Sequence, residues 1–427
     1  MRRLLSIGVF FVGVGCGLSV VGEGPPDGVS PDAQAPFDGG GDTATPGDAG
    51  NDGADAASDV LEAGVVFNPA HITAGSYSLG APDITVATTT EIDTTGLTIK
   101  VGAGGPLLSP YLVQSSGIAV LSVGTLDIAA AGTLKVSGTR PLVIVATGNV
   151  NVAGTIKAAA VGKAPGPGGL DATFGTGAGM NGTKDLGDRS GAGGAGYSDP
   201  GAAGGADGKP GGTGGLAFNA NGAQLVGGSG GGHGAGVDAA DPTCDMADRA
   251  LGGGGGGAVQ ISAVGAIVIK SGGGIDVSGG GGRGGCKGGG LTLSAGGGGG
   301  SGGMVYLESI GGITTESGSL IGALGGAGGE GGESGGGGAT SGAPGQDGPY
   351  SPGAAVLAAL GGNTNGMAGG KGGNGGTAAD KPTTGENNND SGGGGGASAG
   401  RVFIHTRGTP ATLDGTIAAS KLVDAAF

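Results

Sequence analysis

The sequence predicts an all-β chain whose fold class is a right-handed parallel β-helix, a solenoid carrying long glycine-rich insertions. Three observations lead there. The first is residues 258–280, AVQISAVGAIVIKSGGGIDVSGG. Val259, Ile261 and Ala263 alternate with Gln260 and Ser262, then Ile267 and Ile269 flank Val268, then Ile275 and Val277 flank Asp276. A period of two marks strands with one buried face. Three short strands with glycine corners make one turn of a coil.

The second observation is recurrence. Aligned on Gly265, matching glycines stand at Gly124, Gly148, Gly311 and Gly408. Six positions earlier stand Ile118, Leu142, Val259, Val305 and Val402, and two further on Val120, Ile144, Ile261, Leu307 and Ile404. After the glycine come Leu126, Val150, Ile267, Ile313 and, as an exception, Pro410. The third strand opens with Leu134, Ile156, Ile275, Leu320 and Ile417. Several columns in register at once indicate a solenoid. An ordinary β-sandwich is the alternative.

The third observation is composition. Glycine supplies 117 of 427 residues, Trp is absent and aromatics are 3 %. No Gly-X-Y period runs through the chain, which excludes collagen. Small β-branched residues suit a narrow interior.

In chain order, residues 1–16 read as an export signal. Arg2 and Arg3 precede an apolar run that ends at Gly13-Val14-Gly15-Cys16. Cleavage near Gly22 or an uncleaved anchor are the other readings, and all three place the protein outside the inner membrane. Residues 17–64 hold ten acids and no base among Pro, Gly, Ala and Thr. Such a stretch buries too little to offset its ordering entropy and is expected to be a disordered acidic tether. Residues 65–427 are the expected β-helix, with 65–105 an irregular first coil and cap. Glycine-rich insertions interrupt it at 161–257, 279–303 and 325–400. Each returns through a glycine run, 252–257, 296–300 and 392–396, where backbones are expected to approach too closely for a Cβ. Two states fit the insertions. One is flexible chain. The other is extended glycine strands, three residues per turn, whose backbones hydrogen-bond sideways.

The lipobox-like start, acidic tether, GTI- and GNV-type coils and GGGGG runs resemble glycine-rich surface lipoproteins of myxobacteria and related bacteria. The insertions resemble mycobacterial PGRS-type domains, and the coil resembles pectin-lyase-like parallel β-helices. The resemblance implies lipidation at Cys16, although Gly13 stands where the lipobox pattern prefers Leu. It carries no catalytic motif.

The net charge is −15, with 19 basic residues, and no basic patch exists to meet a phosphate backbone, so nucleic acid is excluded as a partner. His71, His233 and His405 pair with no second His or Cys at ligand spacing and are expected to be solvated or locally hydrogen-bonded. Asp127, Asp276 and Asp414 are expected to point outward without stacking, so the paired carboxylates of a glycosidase are missing. Asp238, Asp241, Asp245 and Asp248 read as an exposed acidic loop rather than a calcium site. The stretch 366–372, GMAGGKG, lacks the Ser or Thr of a phosphate loop. No catalytic residue, metal or cofactor is assigned.

With Cys16 used for lipid, Cys244 and Cys286 remain. In an oxidising compartment an even pair tends to bond, and their insertions leave the same corner of neighbouring coils, so a Cys244–Cys286 disulfide is expected. The expected protein is non-catalytic, exported to the cell envelope and held at the outer membrane or cell surface by an N-terminal lipid. Its expected role is structural or adhesive, with extracellular polysaccharide and other surface proteins as the partner classes left open. The alternative is a β-helical protein that binds or degrades polysaccharide.

Overall fold

The computed structural model describes residues 67–105, 107–185, 187–236, 250–288, 293–335, 339–364, 369–407 and 409–424. The export signal and tether, Cys16, Cys244, Gly408 and the acids between 238 and 248 lie outside the described residues. So do residues 366–368 of the glycine stretch.

Among the described residues, strands pair into three large sheets and one two-stranded hairpin, and no helix occurs. The first sheet contains Ile118–Val123, Leu142–Ala146, Ala258–Ala263, Met304–Ser309 and Arg401–Thr406, side by side and parallel. Ser420–Asp424 joins its far edge in parallel, and Leu112–Ser115 joins its near edge antiparallel. The second sheet runs from Ile84–Val86 through Leu126–Ile128, Val150–Val152, Ile267–Ile269 and Ile313–Thr315 to Thr412–Leu413. The third holds Thr89–Asp93, Thr133–Ser137, Thr155–Lys157, Gly274–Asp276, Leu320–Gly322 and Thr416–Ala418 in parallel. Thr98–Val101 and Leu107–Leu108 extend it antiparallel.

The expected single right-handed parallel β-helix is therefore corrected. The chain forms three sheets in which parallel and antiparallel pairing are mixed, not one uniform solenoid. The physical cause is local turn chemistry. Ser116 and Gly117 both take positive φ, 50° and 82°, and Ser115 pairs with Ile118 across them. Two left-handed residues in a two-residue loop make a primed hairpin turn, which folds the chain back on itself.

Hydrophobic side chains of all three sheets meet in one core. Val259, Ile261, Ile267, Ile269 and Ile275 are fully buried in it, as the alternation predicts. Three columns need correction. Leu142 pairs with Ala119, and Ile144 with Leu121, so Ile118 and Val120 face the other side. The corner between Val123 and Gly124 is one residue shorter than its counterparts, and a one-residue shift flips every side chain. In the third sheet Ile275 pairs with Ile321, which places Leu320 on the outer face with Leu324 and Ala418.

The outer face of the first sheet is buried as well. Tyr197 and Leu225 of the first insertion, with Phe67, Ala70, Ile72 and Tyr77 from the entry segment, pack on Val143, Val145, Met304, Tyr306 and Phe403. Burial on both sides explains why Leu142–Ala146 reads LVIVA without alternation.

The glycine-rich chain forms an ordered layer with a three-residue hydrogen-bond period. Gly253 and Gly256 donate to Gly298 and Ser301, at 2.9 Å each. Gly254 and Gly257 donate to Gly162 and Ala158, and Gly255 and Ala258 to Leu170 and Pro167. Residues 296–303 repeat the pattern with 392–398, 283–277 and 232–229. Each chain thus bonds three neighbours in rotation. A Cβ on Gly256 would be driven into the carbonyl oxygen of Val277, and one on Gly394 into that of Gly297. Of the two states open to the insertions, the described residues adopt the sideways-bonded one. Ordering glycine is entropically expensive, and the offset comes from satisfying nearly every buried amide.

Candidate functional site

The densest polar cluster lies on the outer face of the first sheet. Gln260, Ser262 and Glu308 occupy positions that alternation assigns to solvent, yet all three are 0 % exposed. The entry segment covers them. Ala70 donates its backbone N–H to Glu308 Oε1 at 2.9 Å. Gln260 Nε2 donates to Ala70 O at 2.8 Å and to Glu308 Oε1 at 2.9 Å, and lies 2.8 Å from Ser262 Oγ. The Ser262 hydroxyl donates to the same carboxylate oxygen. Glu308 Oε2 is buried and receives no hydrogen bond. Burial pushes the Glu308 carboxyl above its ordinary range, against the pull of Ser262, Ala70, Gln260 and the charge of His71.

His71 reaches this cluster from the entry segment. Its Nδ1 lies 2.7 Å from Gln260 Oε1 and its Nε2 lies 2.7 Å from Gly222 O. The ring meets Tyr306 edge-on, with centroids 4.7 Å apart. On Tyr306 also stacks His405, at 4.8 Å, while Phe403 tilts against it at 5.9 Å. His405 thus lies against an aromatic ring, not in open solvent. His233 is locally bonded: it accepts from Gly252 N–H at Nδ1, 3.1 Å away, and its backbone N–H donates to Asn181 Oδ1. Burial lowers its pKa.

The carboxylates expected to point outward behave differently from one another. Asp127 is half-buried and accepts from Asn151 Nδ2 at 2.7 Å. Asp414 is exposed. Asp276 is only 3 % exposed, because the third insertion brings Asp347 and Tyr350 over it. Burial pushes its pKa up to about 6, against hydrogen bonds from Ser278 and the charge of Lys157, its ladder neighbour. Asp127 has Thr85 and Asn151 as ladder neighbours, and Asp276 has Lys157 and Gly322, so no two carboxylates stack there.

Two surface grooves lie in the glycine-rich layer. One, of about 590 Å³, is lined by Asp207, Gly208 and Asn387 to Asp390. Asp207 accepts from the Arg189 backbone N–H at 2.7 Å. The other, of about 470 Å³, is lined by Gln346, Leu360, Asn363, Lys371 and Asn374. Among the described residues no group of three His, Cys, Asp or Glu side chains is placed to hold a metal. Cys286 is fully buried and disulfide-bonded, and its N–H donates to Ser294 Oγ at 2.7 Å. The expected partner, Cys244, lies outside the described residues.

Sequence reasoning missed Gln260, Ser262 and Glu308 as a cluster. One usable signal was present. Aromatics are scarce, yet Tyr306 and Phe403 fall at matching positions of adjacent parallel strands, which marks a face that something must cover. Compared with protein-family models, curated proteins and solved structures, the chain matches none of them.

Proposed function

We propose that the protein is a non-catalytic, exported surface module with a structural or adhesive role, tethered to the membrane by a lipid on Cys16. The observation that carries this reading is the glycine layer. Its buried amides bond between chain segments with a three-residue period, and many of its glycines have no room for a Cβ. Such a lattice commits the backbone to mechanical order and leaves few side chains for chemistry. The buried polar groups serve the same end: Glu308, Gln260 and Ser262 fasten the entry segment.

The anchoring part is tested by fractionation. Cys16→Ser is expected to release the protein from membranes or block its processing. Unchanged partition together with an unchanged N-terminal mass would overturn it. The structural part is tested by surface-attachment assays on cells lacking the protein, where loss of attachment is expected. A second reading, binding of extracellular polysaccharide, draws on the groove lined by Asp207 and Asn387 to Asp390. Amide side chains and a carboxylate suit sugar hydroxyls. Retention on an immobilised polysaccharide, lost in Asn387→Ala, would favour it.

A further inference from the structure

The hydrogen bonds around His71 determine its protonation state. Gln260 Nε2 faces two atoms that only accept, Ala70 O at 2.8 Å and Glu308 Oε1 at 2.9 Å. That fixes the orientation of its amide, so the atom 2.7 Å from His71 Nδ1 is the carbonyl oxygen, also an acceptor. His71 Nε2 faces the carbonyl oxygen of Gly222, again an acceptor. Both ring nitrogens must therefore donate, and only imidazolium does that.

The cation sits one amide away from a buried carboxylate. Gln260 accepts from His71 and donates to Glu308, and so links the two charges through a single side chain. The other titratable group against His71 is the Tyr306 ring, whose second neighbour is His405. His405 also stands opposite Glu308 in the adjoining strand. Three pieces of chain meet at His71: the entry segment, the first sheet, and the turn at Gly222. That turn packs so tightly on Phe403 that a Cβ at Gly222 would lie 2.9 Å from its ring. His71 itself is held at a positive φ of 61°, an unusual conformation for a side-chain-bearing residue.

We propose that His71 is a proton-operated latch for residues 67–79. Its imidazolium form ties that segment to the outer face of the first sheet, and loss of one ring proton loosens the segment. Deprotonation would leave a bare nitrogen lone pair opposite a carbonyl oxygen, turning an attraction into a repulsion. It would also leave Glu308 as a buried anion without its balancing cation. Both consequences act in the same direction. The grip is firm while both ring nitrogens carry protons and weakens when one of them is lost. Apolar contacts of Phe67, Ile72 and Tyr77 remain in either state, so the segment loosens without the fold being lost.

The test uses the full chain and two readouts. Nitrogen-15 NMR of the His71 ring reports which nitrogens carry protons. Hydrogen exchange of residues 67–79, corrected for the intrinsic pH dependence of exchange, reports docking at about pH 6 and about pH 9. The proposal expects both ring nitrogens protonated at the lower pH. It expects protection of the segment to fall by about tenfold or more at the higher pH, the loss of one charge-assisted bond. His71→Gln, which keeps one donor but no titrating group, is expected to show no such fall. A ring nitrogen without a proton at the lower pH would overturn the proposal. So would protection independent of pH, or an equal fall in His71→Gln.

Discussion

The backbone N–H of Ala70 and the carboxylate of Glu308 are bonded at 2.9 Å across 238 positions of sequence. The contact joins the entry segment to the middle of the first sheet. It also converts a strand position that alternation assigns to solvent into a buried one.

Glu308→Leu should therefore destabilise the protein, although it makes the strand more apolar. The substitution strips an acceptor from Ala70 N–H, Ser262 and Gln260 at once. Leaving buried donors unpaired costs about 1–3 kcal/mol. Chemical denaturation should show that loss, whereas Glu316→Leu at an exposed site should change little.

The glycine lattice makes a position-specific prediction. Gly256→Ala puts a methyl group into the Val277 carbonyl and 2.7 Å from the Gly303 amide nitrogen. Forcing the backbones apart should cost about 1–3 kcal/mol, the usual penalty of overpacking. Gly80→Ala has open space around it and ordinary φ, and should be neutral or slightly stabilising. Equal melting temperatures for the two variants would refute the close-packed arrangement.

Asp276 should make stability depend on pH. The unfolded chain ionises it near its ordinary 3.8, whereas burial holds the proton in the folded state up to about 6. The folded state thus binds the proton more tightly. This group's penalty is absent below the unfolded value, grows as pH rises between the two, and reaches about 3 kcal/mol above the folded value. Asp276→Asn keeps an acceptor for the Ser278 N–H and removes the charge. It should raise stability at neutral pH by up to that amount and change it little near pH 4. A gain equal at both pH values would contradict the assignment.

Cys286 should resist thiol labelling in the native protein, since it is buried and disulfide-bonded. Peptide mapping without reductant should recover it linked to Cys244. Recovery as a free thiol would refute the bond.

The strand periodicity was legible in the sequence because burial of one face imposes a period of two whatever covers the other face. Val259, Ile261, Ile267, Ile269 and Ile275 were identifiable on that ground alone. The glycine runs were legible for a similar reason, since only a backbone packed against backbone excludes every Cβ. The tertiary structure alone decided three things. The hairpin at Ser116 and Gly117 turned a uniform coil into mixed sheets, because two positive φ angles reverse the chain. The short corner at Gly124 shifted Ile118 and Val120 to the outer face, because a strand has only two faces. And the burial of Gln260, Glu308 and Asp276 depended on which distant segment came to lie over them. Local pattern records whether a side chain alternates, but contacts separated by 189 or 238 positions leave no period behind.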